Sequence, residues 1–207
     1  MLSITFPPLV AILRGLSLDV AVPIGQALFD AGFRLLEVPL NRPQALECIE
    51  ALCRIAPPDA LVGAGTVLSV DAVESVHAAG GRLLVAPNMQ PEVIARGAAL
   101  GMVCAPGVGT ATEAFTALGA GAHALKLFPA EVWGPAGLKA LASVLPAGTP
   151  LWPVGGITPE SIATWVAAGA TGFGIGGQLF RPGSSAVEVN AVGRRFMAAW
   201  EHSSTAR

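Results

Sequence analysis

Short apolar runs, each closing on Gly, Asn, Pro or a single aliphatic residue, alternate along the whole chain with Ala-rich stretches of helical periodicity. The runs are LVAILRG (9–15), RLLEVPL (34–40), LVGAGTV (61–67), RLLVAPN (82–88), MVCAPGV (102–108), HALKLFP (123–129), PLWPVGGI (150–157) and TGFGIGG (171–177). Polar residues that offer a side-chain oxygen to free helix amides punctuate the stretches between them: Ser69 before Val70, Thr110 with Glu113 three residues on, and Thr158 before Pro159. Several of these stretches end on an Ala-Gly pair, at Gly32, Gly80 and Gly169, where a left-handed residue can stop a helix. Eight strand-helix units with no shift in composition predict one domain over residues 1–207, a single (β/α)8 TIM barrel with tight loops. A doubly wound open sheet is the alternative, because periodicity does not report closure.

Composition changes this picture little but narrows the function. The chain is 53% hydrophobic and 13% charged, which raises the question of a membrane protein. The two charge-free runs, Ala140 to Pro159 and Ser161 to Phe180, are broken by Pro146, Pro150 and Pro153 and by five glycines respectively, so neither makes a lipid-facing helix. The opening MLSITFPPLVAIL has no basic segment and runs into the first strand, so no export signal is expected. A net charge of −2 without a Lys/Arg cluster leaves no electrostatic footprint for nucleic acid or for an anionic membrane, and a small molecule is the expected partner. Cys48, Cys53 and Cys104 fit neither a disulfide framework nor a metal spacing, and are read as small apolar residues of a cytoplasmic protein. GAGTVL and GVGTAT lack the third glycine of a dinucleotide fingerprint, and no P-loop occurs.

Two charges sit where the pattern calls for apolar residues. Lys126 lies between Leu125 and Leu127, and by strand parity shares an inward face with Ala124 and Phe128. Glu37 interrupts RLLEVPL with the same inward parity, and strands two and six, both even-numbered, supply the same interior layers of a barrel. Arg14 is a third charge, near the carboxyl end of strand one. A structural ion pair is one explanation. The other is chemistry: a desolvated lysine loses its proton more easily and can attack a carbonyl, while a neighbouring carboxylate moves protons. Gly155-Gly156 and Gly176-Gly177 close strands seven and eight, whose loops commonly bind phosphate through backbone N–H groups; tight turning is the alternative use. Thr66 ends strand three, either to bond a substrate carboxylate beside Arg14 or to cap the next helix, and Pro87 ends strand four, where it can shape a pocket wall. His77, His123 and His202 are scattered, and no His/carboxylate cluster offers a site to a divalent metal.

The segments AILRG, LEVPLNRP, VGAGTV, APN, CAPGVGTATEA, ALKLFPAE, PVGGI and GIGGQLF resemble, in order and spacing, the class I aldolases of 2-keto-3-deoxy-6-phospho sugar acids. The resemblance implies a metal-independent, cofactor-free lyase that forms a trimer of barrels. It implies Lys126 as the Schiff-base lysine, Glu37 as general acid/base, and Arg14 and Thr66 at the carboxylate and keto region. Phe128 would flank the lysine, and Gly155, Gly156, Gly176 and Gly177 would cradle phosphate. The sequence EVPLNRP after Glu37 and Val154 before Gly155 are similar to the phosphogalactonate branch, whereas the phosphogluconate branch usually reads EVTLRT and PTGG. The implied reaction releases pyruvate and glyceraldehyde 3-phosphate, with Val154 contributing to stereoselectivity. Gly177 departs from many relatives, which carry Ser there. The alternatives are the phosphogluconate-type aldolase, another phosphate-binding barrel enzyme such as an isomerase or synthase, or a non-catalytic sugar-phosphate binder.

Overall fold

A computed structural model describes residues 6–204; the first five residues of the apolar opening run and the last three of the chain lie outside the described residues. The strands are β1 (Leu9–Ile12), β2 (Leu35–Pro39), β3 (Leu61–Gly65), β4 (Leu83–Val85), β5 (Val103–Ala105), β6 (Gly107–Val108), β7 (Leu125–Leu127), β8 (Leu151–Pro153) and β9 (Phe173–Ile175). The helices are α1 (Leu18–Asp30), α2 (Ala45–Ile55), α3 (Val70–Ala78), α4 (Pro91–Ala99), α5 (Ala111–Gly119), α6 (Ala130–Ala142), α7 (Ile162–Ala168) and α8 (Ala186–Ser204), with a 3₁₀ turn at Pro159–Ser161. Among the described residues no helix is long and apolar enough to cross a membrane.

The strands pair in parallel as a curled six-stranded sheet, order β5-β4-β3-β2-β1-β9, and a three-stranded sheet, order β6-β7-β8. The fifth apolar run, expected as one strand, is two. Pro106 has no N–H to donate and splits the run, so β5 pairs with β4 while β6 pairs with β7. On the other side, Val154 bridges to Gly174 of β9 just beyond the end of β8.

Side-chain alternation along these strands produces two separate apolar clusters. One joins the outward face to the helices and includes Leu36, Val38, Leu125 and Leu127. The other is enclosed by the strands: Val10, Leu35, Leu83, Val85, Val103, Ala105, Ala124 and Trp152. Glu37 follows Leu35 and Lys126 follows Ala124 on that inner face, in agreement with strand parity.

Local signals fall where expected. Ser69 accepts the Ala72 N–H, and Thr110 with Glu113 forms a reciprocal cap at the start of α5. Gly32, Gly80 and Gly169 take positive φ at the helix ends. Close strand contact also requires glycine inside the sheet: a Cβ on Gly63 would lie 1.9 Å from the Leu83 carbonyl oxygen.

Candidate active site

Glu37 and Lys126 are the only buried charged side chains among the described residues, at 2% and 8% exposure. Both line one small inner cavity of about 10 Å³ with Val10, Ile12, Val85, Ala105, Trp152, Val154 and Gly174, a volume at the threshold for a single water molecule. Register explains how they come together. Glu37 is level with Ile12 of β1 and Gly63 of β3, Lys126 with Gly107 and Trp152, and both side chains reach the same inner cavity. The Leu13 N–H donates to the Glu37 carbonyl and the Lys126 N–H to the Pro106 carbonyl, so both Cα positions are held by backbone.

The electrostatics are those of groups taken from water without full compensation. Burial drives the Glu37 carboxyl up to about 7, against the opposing pull of Lys126 and Arg14. Burial likewise lowers Lys126 below an ordinary lysine, opposed by Glu37 and reinforced by Arg14. The ion pairs of the described residues, Arg34–Asp59, Arg96–Glu74 and Arg195–Glu160, all lie elsewhere, and Glu37 Oε2 has no hydrogen-bond partner. The two groups therefore do not form the closed structural ion pair that would explain them without chemistry. The Lys126 ammonium instead sits 4.8 Å from the centre of the Phe128 ring. Gly65 makes room for the acid, since a Cβ there would fall 1.9 Å from Glu37 Oε2.

Above this pair opens a cavity of about 450 Å³ that brings together Arg14, Phe128, Val154, Gly155, Gly156, Gly176 and Gly177. Val154 lines both cavities, as do Ile12 and Gly174. Gly155 and Gly156 have φ of 118° and 64°, conformations that side chains rarely adopt and that the turn itself requires of glycine. Sequence reasoning missed three polar residues of this mouth: Glu131, Gln178 and Arg181. Glu131 and Arg181 lie beyond the strand ends, in stretches where a charge is unremarkable, so strand parity does not single them out. Glu131 packs its carboxylate onto the glycine corner, with Oε2 2.5 Å from where a Gly155 Cβ would be.

Thr66 and Pro87 line neither of these two cavities. Thr66 has φ of 58°, a strained conformation for a β-branched residue, held between the Leu40 N–H to Gly65 carbonyl and Val67 N–H to Val85 carbonyl bonds. It is not the cap of α3, which is Ser69, so the capping alternative falls away. Pro87 packs its carbonyl against Gly107, whose Cβ would lie 2.3 Å from that oxygen. A second groove, shared through Arg14 and Pro182, is lined by Arg42 and Gln44, another residue at positive φ. His123 accepts the Cys104 N–H, and burial lowers its affinity for a proton. The three thiols are unpaired, with Cys104 pushed up to about 12 by burial. Among the described residues no three His, Cys, Asp or Glu side chains gather as a metal-binding group.

The family model for KDPG and KHG aldolase matches residues 3–194. The 2-dehydro-3-deoxy-6-phosphogalactonate aldolase of Escherichia coli (strain K12) is 46% identical over 93% of this chain and 94% of its own length. A 2-dehydro-3-deoxy-phosphogluconate aldolase of Treponema pallidum (strain Nichols) is 36% identical over 71% of this chain and 70% of its own. A solved structure named native KDPGal superimposes with a TM-score of 0.93 at 44% identity, covering 96% of each chain. Fold, site and matches define a lyase of the aldolase class. The chain belongs to the KDPG and KHG aldolase family.

The displaced acidity of Glu37 predicts a pH signature in stability. Its folded value near 7 exceeds the ordinary 4.5, so the stability it contributes is intact below about pH 4.5 and declines as pH rises to 7. Relative to Glu37→Gln, the native protein should lose about 3 kcal/mol across that window and stay level above it. Urea unfolding of both proteins from pH 4.5 to 8 measures this; a constant difference would mean that Glu37 titrates normally.

Proposed function

We propose that this protein is a class I aldolase that cleaves 2-dehydro-3-deoxy-6-phosphogalactonate to pyruvate and glyceraldehyde 3-phosphate through a Schiff base on Lys126. The observation that carries this is the desolvated Lys126 and Glu37 in one inner cavity beneath an open mouth. Burial favours the neutral amine of Lys126, which attacks the C2 carbonyl to give a carbinolamine. Glu37, titrating near neutrality, donates the proton that lets water leave and later accepts one from the C4 hydroxyl. The iminium takes up the electron pair as the C3–C4 bond breaks. Protonation at C3 and hydrolysis of the imine then release pyruvate and restore the amine. Arg14 holds the carboxylate and keto region, Phe128 flanks the lysine, and Gly155, Gly156, Gly176 and Gly177 receive phosphate, while Thr66 and Pro87, which line neither cavity, take no direct part. Neither a metal nor a cofactor enters these steps.

The galactonate substrate is supported by the 46% identity to the Escherichia coli galactonate enzyme against 36% over a shorter span to the gluconate relative. Val154 supports it too, as an apolar wall shared by both cavities. We read residues 1–207 as one domain and the two sheets as one closed (β/α)8 barrel, continuous through Pro106 and joined by the Val154–Gly174 bridge. We read the assembly as a homotrimer that covers apolar side chains such as Phe115, Val132 and Trp133, exposed by 49%, 75% and 40%. Unpaired thiols fit the cytoplasm.

Incubation with pyruvate and borohydride should add a reduced pyruvyl group at Lys126 alone, and Lys126→Ala should abolish both adduct and turnover. No adduct on folded protein would leave an isomerase or a binding protein, and an adduct elsewhere would assign the Schiff base to another amine. Val154→Thr should narrow the preference for the galactonate epimer over the gluconate epimer about ten-fold, read as a ratio of kcat/KM; an unmoved ratio assigns C4 selection elsewhere. Light scattering should give about three times the 20.9 kDa chain mass, with one cooperative unfolding transition. A monomer mass rejects the trimer, and two separated transitions reject the single domain.

A further inference from the structure

The mouth of the site raises a charge problem that its glycines do not solve. A phosphate monoester carries nearly two negative charges at neutral pH, and backbone amides offer it dipoles without net charge. Glu131 adds a carboxylate on the same glycine corner. Arg14 lines the same cavity, and its field is shared with Glu37 and Lys126. The second guanidinium of the cavity is Arg181. Its Nε–H donates to the Gly177 carbonyl at 2.7 Å, which anchors the guanidinium to the glycine pair and leaves both amino groups for other acceptors. Among the described residues it has no carboxylate partner.

Its backbone is also secured. The Arg181 N–H donates to the Ser184 hydroxyl and the Ser184 N–H to the Arg181 carbonyl. The next residue, Pro182, seats its ring against Gly15, where a Cβ would meet Pro182 Cγ at 2.8 Å. Position 177 itself presents no side chain, and a Cβ there would touch only Arg181 Nε, at 3.8 Å, an ordinary contact. A guanidinium thus stands beside the space that a side chain at 177 would fill, and a small hydroxyl could be added there without a collision.

We propose that Arg181 is the phosphate-neutralising residue of this site, held against Gly177 so that its amino groups meet the phosphoryl oxygens of the substrate. This rests on the aldolase reading above for the identity of the substrate, but not for the presence of an anion site. A planar fork with two free amino groups suits a phosphoryl group better than a point charge does.

The test compares condensation of pyruvate with glyceraldehyde 3-phosphate and with glyceraldehyde, together with direct titration of inorganic phosphate. Arg181→Ala should lower the ratio of the two kcat/KM values about ten- to a hundred-fold, chiefly through KM. It should weaken inorganic phosphate by a similar factor, with Arg181→Lys between the two. Adding Gly177→Ser to Arg181→Ala should recover part of the ratio. Equal losses with both aldehydes, or an unmoved ratio, would make Arg181 a structural residue and overturn the proposal. Borohydride trapping of pyruvate on each variant reports the lysine separately. If trapping and condensation both fail in the native protein, the phosphate titration alone decides: unchanged affinity in Arg181→Ala still overturns the proposal, and weakened affinity upholds it.

Discussion

Two opposite charges held out of water without a direct ion pair are the constraint around which this protein is arranged. Either charge alone in an apolar interior would be costly, and their mutual attraction offsets only part of that. Burial outweighs attraction for both: Glu37 rises to about 7 and Lys126 falls. A tighter pair would have relieved the burial and returned each group toward its ordinary protonation. The absence of a close contact thus leaves the lysine easier to deprotonate than an ordinary one and the carboxyl able to exchange its proton near neutrality.

The surrounding backbone is shaped to hold that arrangement open. Gly65 has no Cβ because the Glu37 carboxylate fills its place, and the following Thr66 sits in a conformation unfavourable for its type. Backbone bonds on both sides of Thr66 hold it there, as expected where neighbouring strands over-determine a strained residue. At the mouth, Gly155 and Gly156 likewise combine positive φ with close contact, here from Glu131. At these two places glycine marks where an acidic side chain approaches the main chain.

The apolar composition that first suggests a membrane protein has a simpler source. The strands bury residues on both faces, one cluster within the sheets and one beneath the helices, so nearly every strand position is apolar. Against that background a charge on an inward position is conspicuous. This is why Glu37 and Lys126 were legible from alternation alone, and why Cys104, buried with its thiol pushed up to about 12, raised no signal of reactivity.

Sequence by itself determined the alternation of strands and helices, the caps at Ser69 and Thr110, the inward parity of Glu37 and Lys126, and the family resemblance, because each is written in local spacing. Tertiary structure decided what spacing does not encode. It split the fifth run at Pro106, because a missing N–H matters only once its pairing partners are known. It separated the charges instead of pairing them, and left Thr66 and Pro87 off the walls of the two cavities. It brought Glu131 and Arg181 to the mouth from beyond the ends of strands β7 and β9, in chain segments about fifty residues apart. Such residues follow no period, so only the assembled fold places them on one surface.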